Sequence, residues 1–143
     1  MKKLFTIFAL SGVLFFATQN DAQAQAAKQL NFGLIGVSYE IPMGSTITIA
    51  PTAFTNFDLS FLTLGVKANF YFDDMIGLPS EWDVYAGANG GFALDIGNNN
   101  GNDFGIGLHI GGRWFWSDKW GVYLEGGAGN LGGNGGVGLT MKM

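Results

Sequence analysis

The 143-residue chain has no cysteine, and histidine occurs once. That removes any disulfide framework, any thiolate metal site and any lipid anchor on a cysteine, and it leaves His109 without the companions a zinc or copper site needs. Charge is also scarce, at 13% of residues, and the net charge is −4. A chain so short of basic residues has no electrostatic footprint for nucleic acid. Helical membrane spans are missing as well: after the first two dozen residues no apolar run approaches the ~20 needed to cross a bilayer as a helix. What the chain has instead is glycine, 24 residues of it, and aromatics at 15%. That pairing suits tightly packed β structure in a single domain.

The most regular stretch is 104–116, FGIGLHIGGRWFW. With a period of two, Phe104, Ile106, Leu108, Ile110, Gly112, Trp114 and Trp116 share one face, and Gly105, Gly107, His109, Gly111, Arg113 and Phe115 the other. A bulky apolar face ending in tryptophan, set against a small and sparsely charged one, is the signature of a strand that presents its sides alternately to lipid and lumen.

The same alternation organises the rest. In 62–72, Leu62, Leu64, Val66, Ala68, Phe70 and Phe72 oppose Thr63, Gly65, Lys67, Asn69 and Tyr71. In 82–96, Trp82, Val84, Ala86, Ala88, Phe92, Leu94 and Ile96 oppose Asp83, Tyr85, Asn89 and Asp95. Run 120–128 places Trp120, Val122 and Leu124 outward with Tyr123 and Glu125 inward, and 135–143 places Val137, Leu139, Met141 and Met143 outward with Thr140 and Lys142 inward. Earlier runs are 30–41, in phase from Ile35, and 46–57, where Pro51 cannot donate to a ladder and predicts a bulge or a weak pairing. That makes seven clear runs, with 26–34 as the source of a short eighth.

Residues 1–24 read as a cleavable signal peptide: Lys2 and Lys3, an apolar stretch 4–17, and Ala22-Gln23-Ala24 as the cleavage site. The apolar stretch is too short for an uncleaved spanning anchor. Removing Lys2, Lys3 and Asp21 takes the basic residues from 7 to 5 and the acidic from 11 to 10, a net −5 for the barrel domain 25–143.

Parity places Glu40, Lys67, Asp83, Arg113, Glu125 and Lys142 on the inner face, where isolated charges would be costly. The expectation is a paired network that plugs the lumen; a narrow polar path for water or a small solute is the alternative. Counting outward from the turn at Asp118 sets Arg113 across from Tyr123 or Glu125 on the same inner face, and predicts that Arg113 and Glu125 behave as a salt-bridged pair. Phe70, Phe72, Trp82, Trp114, Trp116 and Trp120 gather at one end as an aromatic girdle, with tight turns such as 117–119 on that side and the Asn/Gly loops 97–103 and 129–135 on the other. Gly127 to Gly132 matches G-x-G-x-x-G, but no helix pattern follows, so it reads as a flexible loop. Asp95, Asn98, Asn100, Asn102 and Asp103 lack the closing Glu of a calcium loop and read as a solvated turn. Ser38 and Ser60 are not placed beside His109, so no hydrolase pair emerges.

The closing strand GVGLTMKM, the hairpin RWFWSDKWGVYLEGGAGN and the paired aromatic turns resemble the small outer-membrane β-barrel proteins of Gram-negative bacteria, the OmpA/OmpX-like, outer membrane protein beta-barrel domain group. The resemblance implies eight strands in an antiparallel up-and-down transmembrane barrel, outer-membrane lipid as surroundings, and a C-terminal strand, here Val137, Leu139, Met141 and Met143, that the barrel-assembly machinery recognises. Such proteins usually end in an aromatic residue, where this chain has Met143. The expectation overall is a monomeric, non-enzymatic barrel without cofactor or metal, in a structural or surface-interaction role; a porin-like or ligand-binding barrel is the alternative, and a soluble secreted β-protein a third reading.

Overall fold

The computed structural model describes residues 26–55, 57–96, 103–130 and 132–143. The signal-peptide reading and the asparagine-rich loop, with Asn98, Asn100 and Asn102, lie outside them. Eight strands form a closed antiparallel barrel in sequence order: β1 (Gln29–Gly33), β2 (Gly36–Pro42), β3 (Ile47–Thr55), β4 (Phe61–Tyr71), β5 (Trp82–Asp95), β6 (Asp103–Phe115), β7 (Trp120–Gly129) and β8 (Gly132–Lys142). Pairing of β1 with β8 from Gln29↔Lys142 to Gly33↔Gly138 closes the sheet, so no free edge runs its full height.

The missing strand is β1. The run 30–41 is two strands joined at Leu34-Ile35, and it reads as one because neither residue is a turn former. Pairing of Leu30 with Tyr39 and Asn31 with Ser38 fixes the hairpin. At the other extreme most of the predicted loop 129–135 is strand: β7 runs to Gly129, β8 starts at Gly132, the two pair with each other, and the G-x-G-x-x-G begins in one strand and ends in the other. Alternation failed as a guide there because glycine carries no side chain to show a face. Pro51 brings no bulge. Ser38↔Thr52 and Ile41↔Ile49 keep one register on both sides of it, while the pairs between them, at Pro51, are missing from the ladder, which is the weak pairing its absent N–H dictates.

One end of the barrel carries Phe70, Phe72, Trp82, Trp114, Trp116 and Trp120, with the Trp114 and Trp116 rings 6.4 Å apart. This aromatic end is not served by tight turns alone. The β4–β5 connection is ten residues long, 72–81, and holds a 3₁₀ turn, Asp74–Ile76, capped by Gly77 in the left-handed region at φ 69°. Asp73 starts it, its carboxylate accepting the Val84 N–H at 3.3 Å, and burial raises its pKa above the usual range. A two-residue turn lies instead at the opposite end, at 34–35.

Face assignment follows register throughout. Every Asp, Glu, Lys or Arg in a strand, namely Glu40, Lys67, Asp83, Asp95, Asp103, Arg113, Glu125 and Lys142, is on the inner side. The outer side exposes Leu64, Val66, Phe92, Ile106, Ile110, Leu124 and Val137, and Leu108 is 70% exposed. Glycine divides by face too. A Cβ on inward Gly111 would lie 2.4 Å from the Tyr85 ring, whereas one on outward Gly112 would meet nothing closer than 3.8 Å and one on outward Gly126 nothing within 4 Å. The narrow lumen therefore needs glycine where a tyrosine crosses. Gly111→Ala should cost ~1–3 kcal/mol by overpacking, while Gly112→Ala and Gly126→Ala should stay within about 1 kcal/mol of the parent, as read from urea unfolding midpoints.

Candidate functional site: the polar core of the lumen

The inner side chains of the aromatic-end half form a continuous hydrogen-bonded plug. Arg113, on β6, reaches across the lumen to Glu40 on β2, and both are almost wholly buried. Glu40 is the hub: it also accepts from the Tyr71 hydroxyl, from Thr48 Oγ1 at 2.8 Å and from Asn31 Nδ2 at 3.0 Å. Arg113 donates a second time to Tyr71, and its guanidinium lies over the Tyr85 ring at 4.3 Å from the centroid. A guanidinium has five fixed donors and an aromatic-stacking face, so this is a place where lysine could not substitute.

A second ion pair crosses higher up. Lys67 on β4 donates to Glu125 on β7, and Glu125 also accepts from Tyr85 at 2.8 Å. The predicted Arg113–Glu125 pair does not form. Hairpin register sets Arg113 opposite Tyr123, and each charge finds its counter-ion on a strand from the far wall, because in so narrow a barrel the long side chains span the lumen rather than run along one wall. Tyr85, stacked on Arg113 and bonded to Glu125, connects the two pairs.

Asp83 and Lys142 close the plug at the aromatic end. They lie 3.7 Å apart, Asp83 accepts from Gln29 Nε2 at 3.2 Å, and the Lys142 ammonium sits 3.9 Å from the centroid of Phe115. Thr140 Oγ1 is 2.7 Å from Asn31 Oδ1, and Asn31 Nδ2 also reaches Ser38 at 2.8 Å. All six charges expected in the lumen are thus there, as three cross-barrel pairs. Gln29 and Asn31 were not expected in the plug, although 26–34 was the expected source of the eighth strand, because they precede the stretch where alternation settles and shows a face.

His109 is packed rather than poised. Its Nε2 is 2.6 Å from Asn69 Oδ1 and its Nδ1 3.3 Å from Asn89 Oδ1, with the Tyr85 ring at 6.2 Å, so its ring nitrogens face amides rather than a serine among the described residues. Among the described residues, four buried polar side-chain atoms have no partner: Thr63 Oγ1, Asn69 Nδ2, Arg113 Nε and Tyr123 OH.

Chemically the arrangement holds charge still. Glu40, Glu125 and Asp83 each face a base, the tyrosines fill the gaps, and the groups of the aromatic-end half are buried with their polar atoms largely spent on one another. The girdle residues lie outside on the same level, and Val137, Leu139 and Met143 are exposed along the outer face of β8. Comparison with protein-family models, with curated proteins and with solved structures finds no significant match to this chain.

Proposed function

We propose that this chain is an outer-membrane β-barrel protein of the small OmpA/OmpX-like kind, exported by a signal peptide at 1–24, monomeric in outer-membrane lipid, and non-enzymatic, with a structural or surface-interaction role. One observation carries the reading: the outer face of an eight-stranded barrel is apolar from end to end with no strand charge on it, while the inner face is ionic. A soluble monomer rarely exposes a contiguous apolar surface of this kind, whereas a lipid-facing barrel requires one and confines its charges to the lumen. The girdle of Trp82, Trp114, Trp116 and Trp120 is where a membrane interface would hold amphipathic rings. In this reading the outward side chains of β8, Val137, Leu139, Met141 and Met143, are what the assembly machinery meets.

The test is cell fractionation combined with gel mobility. The chain should partition with outer membranes and run at a faster position unheated than boiled; recovery in the soluble fraction without a heat-dependent shift would refute the proposal. The plug supports a structural role over a porin-like one, since the Glu40–Arg113 and Lys67–Glu125 pairs both cross the lumen. Planar bilayers containing the folded protein should show no steady ion current, and a reproducible open conductance would favour the channel instead.

A further inference from the structure

The barrel wall is not of equal height. All eight strands have one end at the aromatic girdle, but β1 has 5 residues and β2 has 7, against 14 in β5 and 13 in β6. At ~3.3 Å per residue and a tilt of about 40°, β1 climbs about 12 Å and β5 about 35 Å, against a lipid-facing band of about 25 Å. The β1–β8 ladder stops at Gly33↔Gly138, and β8 continues through 132–137 with no β1 beside it, a further ~15 Å by the same geometry. The wall therefore has a notch above the β1–β2 hairpin that begins near mid-bilayer.

Its rim is apolar and exposed. Leu34 forms the floor at 77% exposure; Phe57 and Leu59, in the β3–β4 connection, stand on the side away from β8 at 70% and 66%. Thr55 N–H bonds to Ile35 carbonyl at 2.9 Å, which ties that connection to the floor. Leu59 is the one described non-glycine residue with positive φ, at 54°, a conformation a leucine holds only at some cost.

Behind the notch the lumen changes character. Below it the inner residues are the buried plug; above it they are Phe54, Phe61, Thr63 and Ala93 among glycines such as Gly65, Gly91 and Gly107, with Asp95 paired to Phe61 and Asp103 to Ala93 at the top, and Phe54, Phe61 and Asn89 are partly accessible although their side chains point inward. The floor of this upper chamber is Asn89 and His109, and the unpartnered Thr63 Oγ1, on a residue 5% exposed, faces into it.

We infer that the notch is a lateral portal through which a slender single-chain amphiphile enters the upper chamber from the bilayer, its hydrocarbon lying across Leu34, Phe57 and Leu59 and its small polar head turned toward Asn89, His109 and Thr63. The apolar rim at hydrocarbon depth selects a lipid-phase molecule, an eight-stranded lumen has room for no more than one small ligand, and the plug makes the chamber blind, so the site binds rather than conducts. This inference rests on the membrane reading above.

The absence of native cysteine makes the test direct. Single-cysteine variants at Asn89 in the chamber, Leu108 on the outer face and Ala50 in the plug would be folded into liposomes and exposed to N-dodecylmaleimide, which partitions into lipid, or to a trimethylammonium methanethiosulfonate, which stays in water. Asn89→Cys and Leu108→Cys should both be labelled by the lipid-phase reagent and Ala50→Cys by neither. Adding Gly136→Trp beside the portal should abolish lipid-phase labelling at Asn89→Cys and leave that at Leu108→Cys unchanged. Labelling of Asn89→Cys by the aqueous reagent alone, or by neither, overturns the portal. Failure of Leu108→Cys to react with the lipid-phase reagent overturns the membrane reading itself. Should the tryptophan variant not fold, as judged by gel mobility, the comparison of the two reagents still decides.

Discussion

Removing one member of the Glu40–Arg113 pair should destabilise the barrel by ~3–5 kcal/mol, because the remaining charge is left buried without its counter-ion. Glu40→Gln keeps the shape but weakens the acceptor that Arg113, Tyr71, Thr48 and Asn31 share; Arg113→Met keeps the bulk but strands Glu40. The double variant should recover part of the loss, giving a coupling energy of ~1–3 kcal/mol in a cycle read by urea unfolding in lipid. Arg113→Met with Glu125→Gln should couple less, since those two meet only through the Tyr85 ring. Asp83→Asn with Lys142→Met, a looser pair at the half-open end with Lys142 28% exposed, should cost only about 1 kcal/mol or less. Additive losses for Glu40 and Arg113 would mean that water screens them, and the plug would then be no plug.

The second large effect separates lipid from water. Leu108 projects outward at mid-strand and is 70% exposed, so in a soluble protein Leu108→Arg would be a surface change within about ±0.5 kcal/mol. With lipid outside, the same substitution puts a guanidinium at hydrocarbon depth and should cost ~2–4 kcal/mol, enough to stop assembly. Equal folding yields for Leu108→Arg and the parent would favour the soluble reading.

How much of this was readable from the chain depends on what each residue carries. Strands β4 to β7 and their faces could be read because large apolar side chains alternate with polar or tiny ones, and the register then put Lys67, Asp83, Arg113 and Glu125 inside as expected. Glycine hid structure in two ways. It concealed the upper part of β8, where 132–136 show no face, and it made the inner wall look permissive when Gly111 in fact sits against Tyr85. The β1–β2 boundary was obscured because Leu34-Ile35 turns without turn residues, at a point where the wall is low and the turn is apolar. Partners across the lumen were beyond sequence altogether. Hairpin counting reaches only the neighbouring strand, so it offered Glu125 to Arg113, whereas Glu40 comes from the opposite wall, 73 positions away. The notch, likewise, is a comparison of strand lengths that requires the ladder ends to be known.

The most direct measurement of the central claim, an apolar face in lipid around an ionic core, is a nitroxide scan along β6. Single cysteines at successive positions from 104 to 115, spin-labelled and folded into liposomes, would report oxygen, which concentrates in lipid, against a nickel chelate, which stays in water. Oxygen accessibility should alternate with period two, high at Phe104, Ile106, Leu108, Ile110 and Trp114 and low at His109, Gly111 and Arg113, with the nickel chelate excluded from the outward mid-strand sites. No alternation, or nickel accessibility at Ile106 and Leu108 equal to that of a water-exposed label, would contradict it.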